Sequence, residues 1–310
     1  MKRRELLAAG VAGLAAPWVH AQSSAWPTRG PIRLICQYPP GGLVDTVARL
    51  MAPHLSQALS QTVVVENRAG AGGLIGTEYA ARQAADGYSL LVSHASVHIF
   101  ATATRRTMPF DPVNDFTHMG MLVEAPMLLL VRAQSPYQTL AQYVNAAKTK
   151  PVRYGSSGIG SVHHLTMEAF KQELGLDILH VPYKGTGQSV PALVGGQVHM
   201  AVAAYNSIGG FAKEGRVKII AGNTRERMTI LAQFPPMSDA GLKDFHFPGE
   251  NALFVPSGTP KPVIDTLSNA LRTALKDPTV KQRFADLGTE PVADSRARPE
   301  ALRSHLKSEI

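Results

Sequence analysis

The sequence predicts an α/β protein of two lobes with mainly parallel sheets around a central cleft, and three observations carry that prediction. Short, continuously apolar runs such as Ile32–Cys36 (IRLIC) and residues 62–66 (TVVVE) alternate with stretches whose apolar residues recur at helical spacing. That alternation continues on both sides of a midpoint near Pro126. Each half also holds a small-residue turn that leads from a strand straight into a helix: QYPPGGLVDTVAR at residues 37–49 and GSSGIGS at residues 155–161.

Lys2, Arg3 and Arg4 precede an almost wholly apolar run from Leu6 to Val19, and Ala21 is a small residue before Gln22. Residues 1–21 read as a secretory signal peptide, because a run of about 14 residues rich in Gly and Ala is too short for a membrane span. Arg3-Arg4 also fits twin-arginine export. No cysteine stands at the cleavage point, so no lipid anchor is indicated. Removal of the segment leaves roughly 289 of the 310 residues, more than one core usually takes. The formal charge falls from +8 to +6, which still attracts anions to an exported protein. Lys and Arg are scattered and no basic run carries interleaved aromatics, so nucleic acid is not an expected partner. Cys36 is the only cysteine; no internal disulfide can form, and its place in the first strand marks it as packing.

In the first turn, Pro39 and Pro40 stiffen the chain, Gly41 and Gly42 let the backbone approach another molecule, and Asp45 or Thr46 can cap the helix that follows. A helix N-terminus with unclaimed amides suits an anion, here a carboxylate. After the strand at residues 62–66, Asn67 to Gly76 opens a helix through Ala84 and superficially resembles a dinucleotide fingerprint. Its spacing is G-x-G-G-x-x-G and no acidic residue follows about 20 residues on, so it is read as close helix packing or a second wall of a cleft. Residues 88–92 form a third strand. His94 and His98 stand four apart without the glutamate of a zinc-protease helix, so a cleft-lining or surface role is expected for them, and neither a metal nor another cofactor. The apolar run within residues 119–132 is read as a crossing between lobes.

The second lobe starts near Pro126, with a helix capped by Thr139 and a strand at residues 152–154 that delivers the chain to the second turn. Ser156, Ser157, Gly160 and Ser161 repeat the first turn's logic at the start of the helix Val162–Leu174. Two such turns, one per lobe, could grip one carboxylate from both sides. Serine hydrolysis is the rival reading, but Gly155-Ser156-Ser157-Gly158 misses the nucleophile-elbow pattern by one residue. His164 is expected to face the cleft as a hydrogen-bond donor, and His163 to face away. Tyr183 can offer a ring and a hydroxyl. Strands at residues 178–181, 198–204 and 217–221 follow, residues 254–260 return the chain across the hinge, and residues 262–275 and 278–287 are packing helices.

With these segments laid out, the chain resembles the substrate-binding proteins of tripartite tricarboxylate transporters, the Bug family. The resemblance spans essentially all of the mature sequence. It rests on QYPPGGLVDTVAR, VVENRAGAGGLIG with DGYSLL, FDPVNDF, SSGIGSVHHL, HVPYKG with ALVGGQV, and FVPSGTPKPVIDTLSNAL with LKDP, in that order. It implies a type II-like periplasmic binding fold closing as a Venus flytrap, with no catalytic activity. It further implies that backbone and hydroxyl groups of the two turns, partly through ordered waters, hold a small organic carboxylate. Carried over onto this chain, the site comprises Tyr38, Gly41, Gly42 and Asp45 from the first turn and Ser156, Ser157, Gly160, Ser161 and His164 from the second, with Tyr183 beside them. Asp45 is expected to cap its helix or orient amides, not to touch the anion. The implied partner is an inner-membrane permease, the implied place the periplasm, and the implied state a monomer; a sensing subunit for a membrane histidine kinase is the alternative role.

Three departures qualify the resemblance. Where relatives often read GQVDMMFDN, this chain reads GQVHMAVAAYN, so that His199 and Ala203 replace acidic positions. If Ala203 lines the cleft, a ligand ammonium has lost its partner, which favours carboxylates without one, including aromatic acids. Ala85 replaces the proline of the usual PDGY turn. The chain stops at Ser308-Glu309-Ile310, where relatives commonly continue through a last helix, which raises the expectation of a truncated C-terminus. The expected organisation is signal peptide 1–21, first part of lobe I 22–125, lobe II 126–245, and return to lobe I with C-terminal packing helices 246–310.

Overall fold

A computed structural model describes residues 26–104, 106–223, 234–240, 242, 245 and 247–310; the expected signal peptide lies outside these. Lobe I is built on β1 (Ile32–Cys36), β2 (Val63–Asn67), β3 (Ser89–His94), β4 (Phe116–Ala125), β10 (Gly249–Pro256) and β11 (Glu290–Pro291). Lobe II is built on β5 (Leu128–Arg132), β6 (Val152–Ser156), β7 (Ile178–Pro182), β8 (Met200–Ala203) and β9 (Val217–Gly222). The sheet orders are β11-β4-β10-β3-β1-β2 and β7-β6-β8-β5-β9. The helices are α1 (Leu43–Leu59), α2 (Leu74–Ala81), α3 (Ala95–Thr104), α4 (Leu140–Ala147), α5 (Val162–Leu174), α6 (Thr186–Val194), α7 (Gly209–Lys213), α8 (Lys261–Lys276), α9 (Pro278–Asp286) and α10 (Pro299–Glu309). Among the described residues no helix is long and apolar enough to cross a membrane.

The expectation of mainly parallel sheets is corrected to mixed ones. β1 pairs in parallel with β2 and β3, and β6 with β7 and β8, because a strand-helix-strand unit must return in the same direction. The strands that carry the chain between lobes arrive reversed: β10 is antiparallel to β3 and β4, and β5 is antiparallel to β8 and β9. Residues 254–260 do not themselves cross back. They end β10 and turn into α8, so the return precedes Gly249. A further helix absent from the sequence reading, α10, packs on β4.

α1 buries Leu43, Val44, Val47, Ala48, Met51 and Leu55 against β1, β3 and the buried stripe Leu267, Leu271 and Leu275 of α8. Each such side chain contributes about 1.5–3 kcal/mol on transfer from water. The opposite sheet face packs Ile35, Leu91 and Phe254 against Leu302 and Leu306 of α10. Cys36 is fully buried, and burial pushes its thiol up to about 12, so it is the packing residue its strand position predicts. His98, buried in α3, stacks on Phe254 with ring centroids 4.2 Å apart.

Asn223 joins the segments between the lobes. Its Oδ1 accepts from the Met127 amide at 2.8 Å, and its Nδ2 donates to the Phe247 carbonyl at 2.7 Å. Both ends of this fully buried amide are thus satisfied by the two connections that must bend if the lobes part.

Candidate ligand-binding site

The strand-to-helix turns face each other across the gap between the lobes. Gly42 is the N-cap of α1 and supplies no side-chain cap, leaving its first-turn amides unclaimed by any capping group. Asp45, only 3% exposed, does not reach across the gap. It accepts hydrogen bonds from the Gly41 amide at 3.0 Å, Arg49 Nε at 3.0 Å and Asn67 Nδ2 at 2.8 Å. Burial alone would raise its pKa, but the bonds from Arg49, Asn67 and Gly41 outweigh it and hold the carboxyl below its ordinary value. Asp45 thus fixes the turn. Tyr38 is also buried, and its hydroxyl donates to the Gly72 carbonyl at 2.8 Å.

In the second turn the small residues have different jobs. Ser161 caps α5, accepting from the His164 amide at 3.3 Å and donating to the Gly158 carbonyl at 2.7 Å. Ser156 is turned inward, with His180 Nε2 2.6 Å from its hydroxyl. Gly160, at φ 79°, donates its amide to His164 Nδ1 at 3.3 Å. Ser157 and His163 form the pair that meets the gap, Oγ to Nδ1 at 2.5 Å.

A cavity of about 30 Å³ collects Tyr38, Gly42 and His94 from lobe I with Ser157, His163 and Thr186 from lobe II. Leu43, Val44, Met127 and Ala204 give it apolar walls, and Ser207 adds a hydroxyl. Among the described residues, its lining holds no Arg, Lys, Asp or Glu. Burial lowers His94 to about 3 and His163 to about 4, so both imidazoles are neutral at pH 7. A larger groove of about 750 Å³ runs over lobe II along residues 138–141 and 217–220, but it contains no residue of either turn. Convergent polar groups from two lobes make the small cavity the candidate site.

The lobes touch around this cavity. Gly72 sits against lobe II at φ 68°, where a Cβ would lie 2.4 Å from the Ile159 carbonyl oxygen, so only glycine fits that approach. A Cβ on Gly185 would meet Pro39 Cγ at 2.8 Å, and one on Gly42 would meet Thr186 Oγ1 at 3.4 Å. Asn206 Nδ2 donates to Thr46 Oγ1 at 3.2 Å, and Ser207 Oγ to the Gly41 carbonyl at 3.5 Å. In the glycine-rich stretch at residues 70–76, Gly76 packs closely, where a Cβ would lie 2.5 Å from the Arg68 carbonyl oxygen, and Gly72 forms the seam, but none of these residues is among the cavity lining.

Of the ten sequence-derived residues, Tyr38, Gly42 and Ser157 line the cavity, with Gly41 and Asp45 shaping its lobe I turn. Ser156, Gly160, Ser161, His164 and Tyr183 are not among its lining residues. The expected orientation of the two histidines is reversed. His163 faces the cavity, whereas His164 lies against His180, ring centroids 4.3 Å apart, because Ser161 caps the helix and sets its phase. Ala203 is likewise corrected: it is buried in the lobe II core with Leu128, Leu130 and Val190, and the cavity residue is Ala204. Tyr183 packs its ring against that same cluster. His94, for which the sequence suggested a cleft-lining or surface role, lines the cavity. Met127, Thr186 and Ser207 were missed; each is separated in sequence from the turns, and no local pattern marks it.

A family model described as the tripartite tricarboxylate transporter family receptor matches residues 47–302. The UPF0065 protein in the TAR-I ttuE-ttuC' intergenic region of Agrobacterium vitis is 38% identical over 296 residues, covering 95% of this chain and 85% of the relative. Protein BugT of Bordetella pertussis is 32% identical over 302 residues, covering 96% and 90%. Among solved structures, MatC from Rhodopseudomonas palustris with bound malate superposes with a TM-score of 0.87 at 31% identity, covering 91% of this chain and 97% of that one. R. palustris Rpa4515 with adipate gives 0.86 at 30% identity, covering 92% and 95%. The chain therefore belongs to the tripartite tricarboxylate transporter receptor family, the solute-binding proteins that include the Bug proteins.

Proposed function

We propose that this protein is a periplasmic receptor that captures a small organic carboxylate between its lobes and delivers it to the permease of a tripartite tricarboxylate transporter. It binds and does not transform its ligand. The observation that carries the reading is the juxtaposition of the uncapped α1 N-terminus with the Ser157–His163 pair in one interlobe cavity free of lining carboxylates. The α1 amides receive one carboxylate oxygen, and Ser157, Thr186 and Ser207 supply hydroxyls from the other side. The malate of MatC and the adipate of Rpa4515 belong to the same ligand class. Among the described residues the cavity lining offers no Asp or Glu to pair with an ammonium, which disfavours amino acids even though Ala203 lies elsewhere.

Micromolar capture corresponds to about −8 kcal/mol. A helix end contributes about 0.3–2 kcal/mol, so hydrogen bonds and apolar enclosure by Leu43, Val44 and Met127 must supply the rest. A cavity of about 30 Å³ is smaller than any such acid, so capture requires the lobes to part about the Asn223 connections and close again.

The test is a thermal-shift screen of the mature protein against mono-, di- and tricarboxylates, aromatic acids and acidic amino acids, followed by calorimetry. A ligand that binds only the native state raises Tm by mass action, and one class of carboxylates is expected to do so. Failure of every acid to shift Tm, together with ester hydrolysis that Ser157→Ala abolishes, would replace the receptor reading with a hydrolase.

A further inference from the structure

Two buried asparagines lie close to the lobe junction, and only one of them has its hydrogen bonds met. Asn223 uses both amide atoms. Asn251, in β10 of lobe I, is fully buried, yet neither its Oδ1 nor its Nδ2 has a partner. An unanswered buried amide destabilises the fold, so it calls for a partner that no described protein group supplies.

The strand register shows where that partner would come from. β10 runs antiparallel to β3 with Asn251 directly opposite His94. Residues paired in this way project from the same face of the sheet, with Cβ atoms about 5 Å apart. His94 is the residue by which β3 lines the cavity. That face is also the one α1 covers: Val92 of β3 and Leu253 of β10 share a cluster with Leu43 and Val44. Asn251, His94 and the first turn of α1 thus occupy one end of one sheet face.

Resting on the carboxylate-receptor reading, we propose that Asn251, together with His94, determines selectivity by binding a second polar group of the ligand while its first carboxylate sits at the α1 N-terminus. The preferred ligand is a short acid carrying a further hydroxyl, carbonyl or carboxyl group, and plain alkanoates are discriminated against. An amide suits this role because it donates through Nδ2 and accepts through Oδ1, and it serves either kind of group without adding a charge to a site whose described lining residues carry no Arg, Lys, Asp or Glu. A site built to hydrogen-bond a ligand group rejects the analogue that lacks it, since the amide is then left unpaired again.

Calorimetry on the mature protein with butanoate, 4-hydroxybutanoate and succinate, and with the matching five- and six-carbon sets, tests the proposal. Wild type should bind the hydroxy acid or diacid of at least one chain length about tenfold or more tighter than the plain acid. Asn251→Leu, of similar volume, should bring that ratio close to one by loss of the polar acid's affinity, with the plain acid unchanged. Asn251→Ala provides the same readout should the leucine variant fail to fold. A wild-type ratio near one, or an unchanged ratio in a folded variant, overturns the proposal and leaves the receptor reading standing. No binding of any acid to wild type sinks the receptor reading, and this inference with it.

Discussion

The two strand-to-helix turns look alike in sequence and are built differently. In lobe I, glycine occupies the N-cap of α1 and the nearby acid, Asp45, is drawn back to hold Gly41, Arg49 and Asn67. In lobe II, Ser161 occupies the N-cap of α5 and answers the His164 amide itself. The same small residues therefore leave one helix end open and close the other. Lobe I can offer amides to an anion, whereas lobe II offers the side chains of Ser157 and His163. A Gly-rich turn before a helix is thus no anion site until its cap residue is known.

Gly42→Val breaks the comparison most severely. Its φ of −84° suits any residue, and an added Cβ would make ordinary contact with Thr186 at 3.4 Å, but the branched methyls have nowhere to go when the lobes meet. Affinity should fall by about a hundredfold or more, about 2.7 kcal/mol, while Tm without ligand changes little. Calorimetry with the acid found by screening measures it; unchanged affinity would remove the α1 turn from the site.

Acid should separate the two walls. His94, buried and neutral with its pKa lowered to about 3, binds a proton in the unfolded chain near 6.5 but not in the folded one until far lower pH. Its contribution is complete above pH 6.5 and is lost as pH falls towards 3, at up to about 1.4 kcal/mol per pH unit. His163, half-buried and lowered to about 4, contributes less because solvent shares its charge. Melts between pH 7 and pH 4.5 should show the slope reduced more by His94→Gln than by His163→Gln. Equal slopes would mean that both walls are equally wet.

Much of this arrangement was legible, and its limits are physical. The apolar runs placed the strands, and the helix Val162–Leu174 was read at its observed bounds. Asp45 was recognised as a turn-orienting residue from its awkward charge beside an anion. What failed were phases: His163 against His164, and Ala203 against Ala204. One residue moves a side chain by about 100° on a helix and to the opposite face on a strand, and only contact with the other lobe decides which side is the cavity. Strand direction failed for the same reason, because β10 pairs with β3 and β4 across more than a hundred residues of intervening chain. Asn223 and Asn251 acquire their meaning only from such long-range contacts, which also decide for His94 between the cleft-lining and surface roles the sequence left open.

The remaining contrast lies within lobe II, between two serines four residues apart. Ser157→Ala removes the hydroxyl paired with His163 in the cavity and should weaken ligand binding about tenfold, the worth of one hydrogen bond of about 1.4 kcal/mol, with Tm nearly unchanged. Ser161→Ala should do the converse. It strips α5 of its cap and costs about 1 kcal/mol of stability, but its hydroxyl is engaged by the Gly158 carbonyl and the His164 amide and does not line the cavity. Affinity should then stay within about twofold, since one lost cap leaves the helix in place. Parallel melts and titrations of the two variants decide the matter. If Ser161→Ala lost affinity as steeply as Ser157→Ala, the α5 N-terminus would itself be gripping the ligand, and the two turns would be equivalent after all.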